Sequence, residues 1–379
     1  MRGGSKLAIA TALVALMVVL VMVFGRQQAP ESGAQNALWL PQLKAALPQL
    51  RKVALQSSSE RVTLERTQAG WGVVERSGYP VDFKSLEELL RAVSEAHLIE
   101  QKTSKPEYFS RLGLVDIEQP DSTAVLLELW GTPEQALVRV LLGDPAENRK
   151  GRYVRAASAN ETWLIDQSPE PLTGAADWID RHFLDVDFSR VARVTRTLPN
   201  GEGFVAERIE PNAASLGVRA LPAGRKPRYE AVFDGAARAV LSAEIEDVKP
   251  LEPSDFVAEK TVRTLIETTD GLGLEIDATK DESGSWVRVK AFAVAVSSAD
   301  PAATPAAVAG DDDAVVAATG VAQTAAGAVV QTDPRTINER LGNWAFKVSD
   351  YVYGELGKPL ADYLEEAPRA KDDKHADAE

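Results

Sequence analysis

The chain has no cysteine. That removes disulfides, thiolate metal ligation and cysteine nucleophiles together. Stability has to come from packed cores, even in a compartment where disulfides form. Histidine is nearly as scarce, with 3 among 379 residues. His97, His182 and His375 are scattered, and none stands at zinc-ligand spacing with another. There is no Gly-x-Ser-x-Gly elbow, so a serine nucleophile has no local support. No Gly-rich phosphate loop ends in Lys-Ser or Lys-Thr, so any ATP hydrolysis belongs to another subunit. Positive charge is in deficit: 42 Lys and Arg face 56 Asp and Glu, a formal net charge of -14. An acidic surface repels phosphate backbones, which argues against nucleic acid as a partner.

What the sequence does have is one long apolar run, Leu7–Phe24, whose one polar member is Thr11. As a helix it spans roughly 27 Å, close to the hydrocarbon thickness of a bilayer. Arg2 and Lys6 precede it, and Arg26 and Glu31 follow. The charge bias predicts the amino end inside and the bulk of the chain outside. A cleaved signal peptide is the competing reading, with Ser32-Gly33-Ala34 as a small-x-small site. Against it, the run exceeds the usual apolar region of a signal peptide, and Ala34 lies far beyond its end.

After a tether at Gln27–Asn36, apolar character restarts at Leu38-Trp39-Leu40. Val53–Gln56 and Arg61–Arg66 alternate as half-buried strands do. Gly70-Trp71-Gly72 is expected to turn into a short strand at Val73–Glu75, and Gly78-Tyr79-Pro80 to close that meander. Phe83, Leu86, Leu89, Leu90 and Val93 recur at helical spacing. A return strand is expected at Leu98–Thr103 and a helical turn at Pro106–Leu112, ended by Gly113. Thr123–Trp130, Ala136–Leu142, Tyr153–Ala157 and Thr162–Asp166 read as further strands, followed by a helix over Ala176–Leu184.

From Val191 the order repeats. Val191–Arg196 and Phe204–Ile209 read as paired strands, Tyr229–Leu241 as a helix and Ile245–Val248 as the return strand. Thr261–Glu267, Leu272–Thr279 and Ser285–Val294 follow, with Asp270-Gly271 as a hairpin turn. An offset of roughly 140 residues suits a duplicated domain, not a solenoid. Ser297–Thr332 is rich in Ala, Val, Thr, Pro and Gly, carries Asp311-Asp312-Asp313, and reads as a disordered surface insertion. Trp344–Val348 then completes the interrupted hairpin, and Pro359–Leu364 reads as the last helix.

Two clusters carry the sharpest candidate chemistry. Asp180, His182, Asp185 and Asp187 are spaced so that they could gather around a metal, but solvated carboxylates at a helix end are the commoner outcome. Arg149, Lys150, Arg152 and Arg155 form the one basic island of the sequence, suited to an acidic partner or a lipid phosphate. A polar hairpin with outward side chains explains it equally in kind and more commonly. Asp311–Asp313 lacks the alternating ligand pattern of a calcium loop. Asn160-Glu161-Thr162 fits a glycosylation sequon. The tryptophans at 71, 130, 163, 178, 286 and 344 read as core anchors. No catalytic, cofactor-binding or metal residue is assigned, and no cofactor is expected.

An ordered series of short segments carries a resemblance. Trp71-Gly72-Val73, Gly78-Tyr79-Pro80-Val81-Asp82, Glu100-Gln101-Lys102-Thr103 and Leu112-Gly113-Leu114 come first. Gly151-Arg152-Tyr153-Val154-Arg155, Trp163-Leu164-Ile165-Asp166 and Trp178-Ile179-Asp180 follow. Together they resemble a membrane-anchored bacterial domain-of-unknown-function family found beside gliding-type ABC transporters. The resemblance covers most of Leu38–Val294, with Ile337–Leu364 similar to the family's closing segment, and it brings no catalytic or binding residues. It implies an accessory role beside a transporter, with ABC transporter subunits and a gliding-type extracytoplasmic protein as partners.

The expected architecture is α+β: a single N-terminal transmembrane helix followed by two duplicated antiparallel-sheet-plus-helix domains. The expected layout is a cytoplasmic start at 1–6, an anchor at 7–24 and a linker at 25–37. The first domain is expected at 38–188, the second at 189–296 and 333–366, an insertion at 297–332 and a charged tail at 367–379. The protein is expected in the inner (cytoplasmic) membrane, single-pass, with its bulk periplasmic. The expected function is non-enzymatic, an accessory component of an ABC transporter assembly acting through protein contacts. The alternative is a module that binds or senses envelope glycan or lipid in the cleft between the domains.

Overall fold

A computed structural model describes residues 36–132, 136–147, 150–210, 213–295 and 333–366. The expected anchor, the expected insertion and the tail all lie outside the described residues. No helix among the described residues is long and apolar enough to cross a membrane. By packing, the chain forms two units: Met1–Trp71 with Phe83–Trp178, and Gly72–Asp82 with Ile179–Glu379. The expected layout puts all of 38–188 in the first domain, whereas by packing Gly72–Asp82 goes with the second unit and the later division falls after Trp178.

Both units are built on antiparallel sheets with a few helices. The early strands are β1 (Lys52–Gln56), β2 (Arg61–Thr67), β3 (Gly70–Val73), β4 (Tyr79–Pro80) and β5 (Leu98–Gln101). Next come β6 (Val125–Trp130), β7 (Ala136–Pro145), β8 (Arg152–Ala156) and β9 (Thr162–Ile165). The strands of the second unit are β10 (Val191–Thr197), β11 (Gly203–Glu207), β12 (Asp247–Pro250) and β13 (Val262–Thr268). They continue with β14 (Leu272–Asp281), β15 (Gly284–Ala293) and β16 (Trp344–Val348). The helices are α1 (Phe83–Ser94), α2 (Gly235–Leu241), α3 (Pro334–Leu341) and α4 (Asp350–Gly357), beside a one-turn helix at Leu43–Ala46.

The nine-stranded sheet runs β4-β3-β2-β1-β6-β7-β8-β9-β5, and the seven-stranded sheet runs β11-β10-β13-β14-β15-β16-β12. Leaving out β3 and β4, the two orders are the same when strands are ranked along the chain: second, first, fourth, fifth, sixth, seventh, third. In each, a helix precedes the strand that returns to the edge, α1 before β5 and α2 before β12.

Alternation along the strands sets the cores. In the first unit Val53, Leu55, Leu64, Leu127 and Leu129 are fully buried. Each such side chain stabilises the fold by about 1.5–3 kcal/mol. A further cluster joins Phe109, Leu114, Ile117, Ala124, Leu126 and Leu141. In the second unit α4 lies on β13, β14 and β15, α3 lies on β15, and α2 packs against α4. Tyr79 is buried there, edge-to-face with Trp344 at 5.1 Å and Phe346 at 6.1 Å.

Several expectations change. The segment Ala176–Leu184 is not a helix: a 3-10 turn at Ala175–Asp177 gives way to extended chain, with Ile179 bridging Val81 and His182 bridging Glu244. Trp178, Ile179 and Phe183 are buried as the pattern implied. Three apolar residues in so short a span fit a helix and a winding extended segment equally, and the backbone partners decided between them. β3 starts at Gly70, not at Val73, and Val74–Arg76 is a 3-10 turn ended by Ser77 at φ 55. Phe83 does not join the buried stripe of α1; it is 61% exposed, while Leu86, Leu89 and Val93 face inward. The helix expected over Tyr229–Leu241 starts only after Tyr229, as a 3-10 turn at Val232–Asp234 running into α2. Pro359–Leu364 contains a 3-10 turn, Leu360–Tyr363. Of the six tryptophans read as anchors, Trp178 and Trp286 are buried and the other four are half-buried.

Across the middle of the second sheet, Asp277 faces Arg263 on β13 and Arg288 on β15 in direct register. Its carboxylate is 1% exposed and accepts bonds from Arg263 Nε at 2.8 Å and Arg288 Nη2 at 2.6 Å. Burial pushes its pKa up, but the two arginines together outweigh burial and hold it below the usual carboxylate range. A depressed folded value means the stabilisation is complete above the unfolded pKa of about 3.9 and is lost as pH falls through the folded value. Asp277→Asn is therefore expected to cost about 3 kcal/mol near neutrality, the low end for breaking a buried pair because both arginines stay half in water. Urea melts across pH should show the gap to wild type closing below about pH 4; a gap independent of pH would refute the clamp.

Candidate functional site

The sequence-nominated metal cluster does not assemble. His182 has a 91% exposed side chain, and its Nδ1 lies 3.9 Å from Asp180 Oδ1. Asp180 instead accepts the His182 backbone N–H at 3.0 Å. Asp187 caps the 3-10 turn Phe188–Arg190 by accepting from Ser189 N at 2.7 Å. Among the described residues, no three His, Asp or Glu side chains form a group that could hold a metal ion. His97 is tied to Asp166, whose two oxygens meet its backbone N at 2.7 Å and its Nδ1 at 3.2 Å. Thr162 of the sequon is fully buried and donates its hydroxyl to Thr103 O at 2.8 Å.

The basic island of the sequence is not a patch. Arg155 is 3% exposed, contrary to an outward-alternating hairpin. It donates to Asp116 Oδ1, to Ala159 O at 2.9 Å and to Leu114 O at 3.2 Å, and it stacks 4.7 Å above Phe109. Arg152 is half-buried and donates to Gly143 O; burial pushes its pKa down. Lys150 is exposed, and Arg149 lies outside the described residues.

Three cations of the first unit come together elsewhere, around a groove of about 510 Å³ lined by Lys102, Thr103, Ser104, Lys105, Tyr108, Arg111 and Leu112. Its frame follows from local sequence. Thr162 and Thr103 exchange bonds: Thr162 N donates to Thr103 O at 2.8 Å, and Thr103 N donates to Thr162 Oγ1 at 3.0 Å. Thr103 Oγ1 accepts from Lys105 N at 3.1 Å and turns the chain. Pro106 then starts the 3-10 turn Pro106–Leu112, which Gly113 ends at φ 63. Phe109 is buried in the core cluster, and that aims Tyr108 and Arg111 outward on either side of it. The Arg111 guanidinium sits 5.1 Å from the Tyr108 ring.

A larger groove of about 820 Å³ lies in the second unit, with Tyr229, Asp234, Arg238, Glu244, Glu246 and Tyr351 in its lining. Tyr229 is 64% exposed and Tyr351 69%. Arg238 is held in place, 3.7 Å above the Phe188 ring and 3.7 Å from Asp234 Oδ2. Asp234 in turn accepts from Leu216 N at 2.9 Å. The groove thus pairs exposed aromatics with polar groups held by their neighbours.

One hydroxyl elsewhere meets a carboxylate. Ser285 Oγ donates to Asp350 Oδ1 at 2.8 Å, and Lys280 Nζ lies 2.9 Å from Asp350 Oδ2. Lys280 and Ser285 hold the Asp350 pKa below the usual range. Ser285 is 1% exposed and lines neither groove, so the trio fastens β14 and β15 to α4.

Residues 71–270 match a family model described as Domain of unknown function (DUF4340). No curated protein matches the chain, and no solved structure matches it.

The frame and the rim of the first-unit groove separate in a stability experiment. Lys105→Ala and Arg111→Ala should each stay within about 0.5 kcal/mol of wild type in urea melts. Phe109→Ala, which empties a core position, should cost about 3–5 kcal/mol. A large loss from either cation variant would make the groove rim structural.

Proposed function

We propose a function from the premise that the chain belongs to the domain-of-unknown-function family DUF4340, whose model spans more than half of its 379 residues. The protein is a membrane-tethered, extracytoplasmic accessory component of an ABC transporter assembly, and it works by binding other proteins. The observation that carries this reading is the apolar run Leu7–Phe24 standing ahead of both folded units. A single tether of that length, with Arg2 and Lys6 before it, leaves the units together on one side of a bilayer. The same seven-strand order in both sheets supports an internal duplication as the origin of the pair. The choice of a gliding-type transporter and its extracytoplasmic protein as partners rests on the family resemblance carried by the ordered segments Trp71–Val73 through Trp178–Asp180.

A second reading, glycan binding, has its own observation in the second-unit groove. Exposed Tyr229 and Tyr351 offer flat apolar faces beside Glu244 and Glu246, the pairing of stacking surface and polar edge that a sugar ring needs.

Affinity purification from gently solubilised membranes separates the two. The accessory reading predicts recovery of the transporter's membrane and ATP-hydrolysing subunits at fixed stoichiometry. Recovery of the chain alone, while the transporter itself stays intact, contradicts it. The glycan reading predicts a saturable thermal shift with envelope glycans that Tyr351→Ala abolishes.

A further inference from the structure

We propose that the groove of the first unit formed by Lys102, Lys105 and Arg111 binds a phosphate group. This inference stands apart from the transporter reading and rests on the groove alone.

The chain carries a net charge of -14, yet the groove lining holds three cationic side chains and no carboxylate. Such a reversal of sign concentrates anions locally against the field of the rest of the molecule. Lys102 is partly neutralised, with Nζ 2.7 Å from Glu100 Oε2. Lys105 and Arg111 make no ion pair with any described residue, and both are exposed. The groove therefore offers two uncompensated charges, one compact and one forked, with Lys102 at its margin. Ser104 is exposed and adds a hydroxyl donor.

The frame is set before any ligand arrives. The paired Thr103–Thr162 bonds fix one wall. Phe109, 5% exposed in the core, fixes the other. Arg111 lies on the Tyr108 ring, which limits the rotamers its guanidinium has to give up on binding. A simple carboxylate is filled by one guanidinium fork. A phosphate dianion has more oxygens and more charge, and it can take the fork, an ammonium and a hydroxyl together. That match of donor number to acceptor number selects phosphate over carboxylate.

Calorimetric titration of the full chain in detergent at low ionic strength tests this. Inorganic pyrophosphate represents free phosphates, and glycerol phosphate represents a phospholipid headgroup; the tighter of the two identifies the source. At least one should bind saturably, and succinate at equal concentration should not displace it. The double variant Lys105→Ala/Arg111→Ala should weaken binding at least tenfold with an unchanged circular dichroism spectrum. Lys226→Ala/Lys260→Ala removes equal charge from exposed positions of the second unit and should leave affinity within twofold. The proposal is overturned by no saturable binding of either phosphate, by equal displacement with succinate, or by equal losses in the two double variants.

Discussion

A β-sheet has two faces, and a chain without cysteine has to hide one of them by packing alone. Both units meet that constraint with the same strand order, and both place a nearly buried carboxylate among arginines of neighbouring strands. In the first unit Glu128 on β6 meets Arg139 on β7 at 2.7 Å. In the second Asp277 on β14 meets Arg263 and Arg288 from either side. These pairs sit at fixed register positions, so a slip of one residue would bury the arginines or strand the carboxylate. The apolar face supplies the driving force, and the charged positions select the register.

Two buried guanidiniums extend the same logic from strands to connections. Arg196 on β10 is 1% exposed, and its hydrogen bonds go to neutral acceptors. It donates to Glu355 O at 2.6 Å, Ala236 O at 2.8 Å and Tyr363 Oη at 3.2 Å. One side chain thereby satisfies acceptors on α4, on α2 and on the last 3-10 turn. Burial pushes the Arg196 pKa down, and the three acceptors offset that cost. Arg155 does the comparable task in the first unit, joining β8 to the loop at Leu114 and Asp116. The first unit's groove depends on this arrangement, because Arg155 also stacks on Phe109, the residue that sets the outward aim of Tyr108 and Arg111.

Strands and tight turns are the most legible parts of the sequence. Trp344–Val348, Pro106–Leu112 and the Asp270-Gly271 turn stand where alternation and turn chemistry put them, because those signals are local. α3 and α4 were not anticipated, although Asp333 caps α3 ahead of Pro334 and Ser349 caps α4 through Val352 N. Their eight-residue lengths gave too little periodicity to separate them from a closing strand and loop. The candidate surfaces were hardly legible. Arg152 and Arg155 stand three residues apart and read as a patch, but β8 turns Arg155 into the interior. Lys102, Lys105 and Arg111 are spread over a strand end and a 3-10 turn, and only the turn's anchoring at Phe109 brings them around one groove. Sequence proximity misleads in the first case, and in the second it becomes a shared groove only through the fold of the turn.

Under the proposed function, two units that recognise partners act only where those partners are, so the apolar run ahead of them carries the central claim. Leu7–Phe24 has the length to span a bilayer, and the bonds that stiffen each unit keep that unit's own surfaces preformed. Protease accessibility in intact and osmotically opened cells, with a tag at Met1, tests that claim directly. External protease is expected to degrade both units once the outer barrier is opened, while a tagged fragment containing Leu7–Phe24 stays protected in the membrane pellet. Units that resist protease until the cytoplasmic membrane is dissolved, or a soluble chain starting near Gln35, would contradict it.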